Sequence, residues 1–137
     1  MSLVLGDLLS IASLALRVYT AYQDAPGDYR HILEEVKSLH VIIEEGVQHF
    51  KSTTPCCSQQ RKGKEILQGC QSVLEDLDAF IEEYKGLASA SKRKVRTRVS
   101  FGLKSIADLR ARLISNTILL NGFVQRFVNP HIYRPFP

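Results

Sequence analysis

Apolar residues recur every three or four positions along most of the chain, which is the spacing of one face of an α-helix. Three successive segments show this pattern clearly. Their apolar stripes run from Tyr29 to Phe50, from Ile66 to Leu87 and from Leu103 to Phe127, and charged or amide residues fill the gaps. No segment alternates with period two between hairpin turns, so the sequence predicts helices and no strands.

The first segment has a different pattern, because its polar residues form the narrow stripe and most of its circumference is apolar. The polar stripe comprises Gly6, Ser10, Ser13 and Arg17, while the apolar side includes Leu5, Leu8, Leu9, Ile11, Leu14 and Leu16. A helix of this kind must be covered by protein or lipid on most sides. Two interpretations follow: it is the central helix of a bundle, or it meets lipid.

These patterns predict an all-α fold, an up-down bundle of four main helices at roughly residues 4–23, 26–50, 60–86 and 100–127. Pro26 suits a first helical turn, and Pro130 ends the last helix. Asn116 and Thr117 interrupt the last apolar stripe, which predicts a buried polar layer. We expect a bundle domain at residues 1–128, and a proline-containing tail or linker toward a downstream domain at 129–137.

The overall composition is that of an ordinary soluble domain. Eighteen Lys and Arg against fourteen Asp and Glu give a net charge of +4, too small to indicate a nucleic-acid partner. Three cysteines cannot form a disulfide framework, which favours a reducing compartment. The N-terminus lacks the basic region of a secretory signal, so an intracellular location is expected.

Candidate chemistry is sparse. His31, His40 and His49 are nine residues apart, so successive side chains point to opposite sides of a helix and cannot share a metal. Cys56 and Cys57 match no zinc-ligand spacing. There is no nucleophile motif and no phosphate-binding glycine loop. We therefore expect no enzyme activity, no cofactor, no metal site and no small-molecule substrate.

The distribution of charge is more informative than its total. Residues 65–84 contain six acids and no base, whereas a basic patch without acids follows, formed by Lys92, Arg93, Lys94, Arg96 and Arg98. The patch fits a solubilising connection, anionic membrane lipids, or the acidic face of a second copy. Nucleic acid is less favoured, because no aromatic residue is interleaved for base stacking.

Several stretches together resemble the N-terminal helical domain of fungal STAND (NLR-like) proteins. They are LGDLLSI at residues 5–11, DAPGDY at 24–29, LEEVKSL at 33–39 and IADLRARL at 106–113, followed by residues 116–121. The likeness covers most of residues 3–127, and the Asp-Ala-Pro turn is its most distinctive part.

The resemblance implies a role in immunity or programmed cell death. Some of these domains are HeLo-like and are similar to the four-helix bundle of mixed-lineage kinase domain-like protein and to the coiled-coil domains of plant resistance proteins. In that group, induced oligomerisation releases the N-terminal helix toward a membrane. The expected partners are copies of itself, other helical signalling domains and anionic lipids. The expected location is the cytoplasm, with recruitment to the plasma membrane on activation.

A second hypothesis is a non-lytic protein–protein interaction or autoinhibitory module. It rests on apolar residues that lie off the main stripes and are expected at the surface: Val41, Ile42 and Ile118.

Overall fold

The computed structural model describes residues 3–23, 29–53, 55–87 and 92–128, with side chains described at 4–23, 29–53, 55–83 and 106–127. Four α-helices account for the regular structure of these ranges, and no strand lies among them. They are α1 (Leu3–Tyr22), α2 (Arg30–Phe50), α3 (Cys57–Leu87) and α4 (Lys92–Val128). The predicted all-α class is confirmed. The expected turn at residues 24–28 and tail at 129–137 lie outside the described residues.

The helix boundaries differ most from expectation at α4, which begins at Lys92 rather than near residue 100. The basic segment expected to be a connection is therefore the first turns of a helix. A run of like charges is typical of a connection, and this led to the expectation. The segment, however, contains no Gly or Pro before Gly102. Lys and Arg are good helix formers, so nothing in the segment breaks the helix.

The start of α3 also precedes the expected residue 60. The Cys56 backbone N–H donates to Gln59 Oε1 at 3.0 Å, and the Gln60 side chain donates to the Pro55 carbonyl at 2.7 Å. The first contact satisfies an N–H group that a helix start leaves without an intrahelical acceptor, and the second ties the first turn to the residue before it. Glutamine side chains therefore fix the beginning of α3 at Cys57.

The four helices form a bundle in which each helix packs mainly against two others. α1 packs against α2 and α3, and α4 packs against the same two helices, so α1 and α4 lie on one diagonal. Contacts of Arg110 with Glu35 and of Gln125 with Glu45 show that α2 and α4 run parallel. The consecutive helices α2 and α3 accordingly lie on the other diagonal.

The core is assembled from the predicted stripes of α2, α3 and α4 and from one face of α1. At one end it includes an aromatic cluster in which Phe123 and Phe127 lie 5.1 Å apart between ring centroids, and Phe50 and Phe127 lie 5.3 Å apart. The other buried apolar residues include Leu8, Ile11, Ile32, Leu39, Ile43, Leu67, Leu74, Leu77, Ile81, Leu113 and Leu120.

The polar interruption of α4 packs against a glycine of α3. A Cβ atom on Gly69 would lie 2.5 Å from Asn116 Oδ1, so the missing side chain makes room for the amide. Asn116 Nδ2 donates to the Arg112 carbonyl, and Thr117 Oγ1 donates to the Leu113 carbonyl. Both side chains are half-buried. They bond to their own helix rather than forming a fully enclosed layer between helices.

Candidate functional site

The candidate functional element is α1, and its position in the bundle corrects one of the two sequence-based interpretations. α1 occupies a corner and contacts α2 and α3 along one face, so it is not the central helix. Among the residues predicted to form the apolar side, Leu5, Leu8 and Ile11 are buried and Leu14 is half-buried. Leu9 and Leu16 are 46% and 52% exposed, so a single copy of the bundle does not cover α1 on most sides.

The predicted polar stripe lies on the outer side of α1. Ser10, Ser13 and Arg17 are exposed, and Gly6 is half-buried, with open space where its side chain would project. The two exposed leucines lie one position before Ser10 and Arg17 and share this outward side. The outer surface of α1 is therefore mixed, and its uniformly apolar face is the one that packs on the bundle.

Two side-chain contacts tie the C-terminal half of α1 to α3. The Arg17 guanidinium forms an ion pair with the Asp78 carboxylate, and the buried Tyr22 hydroxyl donates to the Leu77 carbonyl at 2.9 Å. Burial is the main reason that the pKa of Tyr22 lies well above its ordinary value of 10. Both partners on α3 are adjacent in sequence, so one turn of α3 holds this end of α1.

The ion pair is the weaker of these restraints. Arg17 is 69% exposed, whereas the Asp78 side chain is 15% exposed. Pairs with an exposed member typically contribute up to about 1 kcal/mol, because water and salt screen the attraction. The buried apolar face therefore provides most of the free energy that keeps α1 in the bundle.

Helix α1 is long and apolar enough to cross a membrane, by length and composition. The window Val4–Tyr22 has 19 residues and a mean hydropathy of 1.4, and a third of it is buried. At about 1.5 Å per residue this approaches the ~30 Å thickness of a bilayer core. Among the described residues it is the single helix of this kind. The core helices of soluble proteins and signal sequences have the same property, so it is weak evidence taken alone.

The predicted basic patch lies on the first turns of α4, where its side chains fall outside the described residues. The acidic half of α3 is better defined. Asp76 pairs with Arg112 at 2.8 Å, Asp78 pairs with Arg17, and Glu75 accepts a hydrogen bond from Gln71. Part of the acidic face is therefore occupied by partners in the same chain.

The histidines and cysteines do not converge where the structure describes them. His31 is exposed, His40 and His49 are half-buried at different levels of α2, and Cys56 and Cys57 are exposed. Within the described ranges no three His, Cys, Asp or Glu side chains are grouped as metal ligands would be. A hydrogen bond with Ser58 lowers the pKa of Cys56, whereas burial raises the pKa of Cys70 to about 12.

Three features of the surface were not identified from the sequence. Asp78 as the partner of Arg17 and Leu77 as the partner of Tyr22 require knowledge of which helices are neighbours. Leu119 is 54% exposed beside the expected Ile118, which is 66% exposed. Leu119, like Ile118, lies off the predicted apolar stripe that contains Leu120, and this position was the available signal. Val41 is exposed as expected, but Ile42 is partly buried against the core.

Comparison of the chain with protein-family models, with curated proteins and with solved structures finds no match.

Proposed function

We propose that this chain is a signalling domain of the fungal NLR-like type, which acts in immunity or programmed cell death by induced oligomerisation and membrane targeting through α1. The observation that carries the proposal is the combination at α1 of span length, an edge position and exposed Leu9 and Leu16. The sequence resemblance to the fungal domains supports the same assignment. The proposed role requires neither enzyme activity nor a cofactor.

In the proposed mechanism, assembly of several copies releases α1 from α2 and α3. The face formed by Leu5, Leu8 and Ile11, which is buried in the bundle, would then meet lipid. The polar stripe with Ser10 and Arg17 would face a water-filled lumen or neighbouring helices, because a charged side chain is costly in hydrocarbon. The helix thereby exchanges one apolar environment for another.

The basic patch supports membrane recruitment in this proposal. Because α4 runs parallel to α2, its first turns lie toward the end of the bundle where α2 begins and α1 ends. Five cations in this segment would attract anionic lipid with about 1 kcal/mol each when they approach the surface. Electrostatic binding would position the bundle before α1 inserts.

The decisive experiment measures dye release from liposomes that contain anionic lipid, and it compares Asp78→Asn with Asp76→Asn. Both variants remove one negative charge and one ion pair from α3, but Asp78 holds α1 whereas Asp76 holds α4. If α1 must be released, only Asp78→Asn should increase leakage, by up to about fivefold for a pair worth about 1 kcal/mol. An equal increase in both variants would indicate a general charge effect.

Two further variants test the surfaces. Leu9→Glu replaces an exposed apolar residue of α1 beside the polar stripe with a charge, which would be costly in lipid. Replacement of Lys92, Arg93 and Lys94 by Glu removes attraction to anionic lipid. Either change should abolish leakage while circular dichroism shows an intact fold. If the wild-type chain causes no leakage even when a fused oligomeriser forces assembly, membrane permeabilisation is excluded.

That result would leave a non-lytic interaction or autoinhibitory module as the function. This alternative is favoured by the exposed apolar residues Val41, Ile118 and Leu119, which lie on helices other than α1. Their exposure is independent of whether α1 leaves the bundle, so surface-directed pull-down with helical signalling domains would test it.

A further inference from the structure

The outward face of α4 carries a continuous stripe that the bundle does not use. We define this outer stripe by its members at helical spacing, which are Asp108, Ala111, Ser115, Ile118, Leu119, Gly122 and Arg126. Gly122 is half-buried, and the other members are exposed. Between Arg112 and Arg126 the sequence of α4 contains no charged residue. The central part of the stripe is therefore uncharged and includes two exposed large apolar residues, which is typical of a protein–protein contact.

The outer stripe lies on the side of α4 away from the core, and it borders a groove that α4 shares with Lys62 and Ile66 of α3. Arg112 and Asn116 on one side of α4 contact α3, and Arg110 and Gln125 on the other side contact α2. The stripe lies between these two sides. A Cβ atom on Gly122 would meet nothing within 4 Å, so the surface above this glycine is open. A side chain of a partner can therefore enter the space above Gly122.

The outer stripe is complementary to itself when it is reversed. If a second α4 lies antiparallel with its twofold axis near Asn116 and Thr117, Ala111 faces Gly122 of the other copy. In the same register, Ser115 faces the bulky Ile118 and Leu119. The small residues Ala111 and Gly122 thus face each other where the helices come closest. Nearer the twofold axis, the small Ser115 faces the large Ile118 and Leu119. This interleaving is what close helix packing requires.

The charges at the two ends of the stripe fit the same register. Asp108 of one copy lies opposite Arg126 of the other, so the pairing brings together two opposite-charge pairs related by the twofold axis. In the single copy, Arg126 lines a groove with Lys62 of α3, and both side chains are basic. Among the side chains that the structure describes, none forms an ion pair with Asp108 or Arg126.

We propose that two copies of this chain associate through antiparallel pairing of their outer stripes on α4. The partner is a second copy because one surface supplies both complementary halves, as an isologous twofold interface requires. The pairing uses α4 and leaves α1 free, so it does not depend on membrane insertion. Dimerisation is measured without lipid and leakage is measured with lipid, so the result of one experiment does not decide the other proposal.

The test measures the mass of the full chain in solution by sedimentation velocity over a range of concentrations. A reducing agent is present throughout, so that the exposed Cys56 and Cys57 do not cross-link copies. The wild-type chain should form a dimer in a concentration-dependent manner. A chain that stays monomeric up to its solubility limit would overturn the proposal.

Matched variants locate the interface. Ile118→Glu should weaken dimerisation by about tenfold or more, since it places a charge in the apolar centre. Val41→Glu changes an equally large exposed apolar residue on α2, 58% exposed, and should leave the dimer unchanged. Gly122→Gln fills the open space over α4 without disturbing the single copy, so it should fold normally and remain monomeric. Equal effects of Ile118→Glu and Val41→Glu would contradict the assigned surface.

A charge-exchange cycle tests the register. Asp108→Arg and Arg126→Asp each place like charges opposite each other in the antiparallel register, and each should weaken the dimer several-fold. The double variant restores opposite charges and should recover most of the wild-type affinity. Recovery is expected at low ionic strength and should decrease with salt. If the loss of dimer affinity in the double variant equals the sum of the losses in the two single variants, this register is wrong.

Discussion

Leu8 of α1 packs directly against Gly46 of α2, and the absent side chain of the glycine is what permits this contact. A Cβ atom on Gly46 would lie 3.3 Å from Leu8 Cδ1 and 3.3 Å from Val124 Cγ2 of α4. Leu8 is completely buried, whereas its neighbour Leu9 is 46% exposed. Two consecutive leucines of α1 therefore have opposite environments.

This contrast predicts different effects of the same substitution at adjacent positions. Leu8→Glu should lower the free energy of unfolding by about 3–5 kcal/mol, because it buries a carboxylate without a partner. Leu9→Glu should lower it by less than about 1 kcal/mol, because the new charge stays in water. Urea denaturation of both variants measures the difference. Similar losses in both variants would show that α1 is enclosed on both sides.

Alanine substitutions at two glycines, one packed and one open, should affect the stability of the bundle differently. A Cβ atom on Gly63 would lie 2.7 Å from the ring of Phe123, which packs in the aromatic cluster with Phe50 and Phe127. Gly63→Ala should therefore displace that ring and destabilise the bundle by about 1–3 kcal/mol.

The control is Gly6→Ala, since nothing lies within 4 Å of its added Cβ atom. That variant should be neutral or slightly stabilising, because alanine favours the helix by up to about 1 kcal/mol. Thermal melting distinguishes the two, and equal melting temperatures would mean that α3 and α4 are not in close contact at Gly63.

Loss of the buried hydroxyl of Tyr22 should destabilise the packing of α1 on α3. Tyr22→Phe removes its hydrogen bond to the Leu77 carbonyl, which we expect to cost about 1 kcal/mol. Tyr19→Phe is the comparison, because Tyr19 lies one turn earlier and is only partly buried. Hydrogen exchange should show faster opening of the last turns of α1 in Tyr22→Phe and little change in the comparison variant.

The buried thiol of Cys70 predicts how stability depends on pH under reducing conditions. Burial raises its pKa from 9.0 to about 12, so the unfolded chain loses this proton at lower pH than the folded chain. The free energy of unfolding should consequently fall as the pH rises above about 9, and the fall should continue toward pH 12. Buried Tyr22 adds a fall of the same sign above its ordinary pKa of 10.

Cys70→Ala should remove the part of this fall that begins near pH 9. The lowered pKa of exposed Cys56 acts with the opposite sign, so the comparison is made in a Cys56→Ser background. Chemical denaturation between pH 8 and pH 10 measures the slope. A slope unchanged by Cys70→Ala would contradict burial of the thiol.

Helix number, helix type and most of the core were predictable because they depend on local periodicity. The stripe from Ile32 through Leu39 to Phe50 has one apolar face, so the sequence alone specifies which side of α2 is buried. The start of α4 was not predicted, because a run of like charge was interpreted as a connection although it contains strong helix formers. Glutamine capping at the start of α3 likewise extended that helix beyond its apolar stripe.

The environment of α1 could not be predicted from its own residues. Apolar side chains lie around most of this helix, and periodicity does not distinguish which of them face protein. A corner helix has two close neighbours, so one face is covered and Leu9 and Leu16 remain exposed. The pairing of Arg17 with Asp78 follows from the same arrangement, since it joins residues far apart in sequence.

By itself the sequence determined an all-helical chain with four amphipathic or apolar segments, because turn-by-turn spacing encodes helices and their apolar faces. Only the tertiary structure decided that α1 stands at a corner opposite α4, that Asp78 holds Arg17, and that Ile118 and Leu119 are exposed on the outer stripe of α4. These features depend on which helices become neighbours, and that depends on the fit of surfaces such as Leu8 against Gly46 rather than on any local pattern.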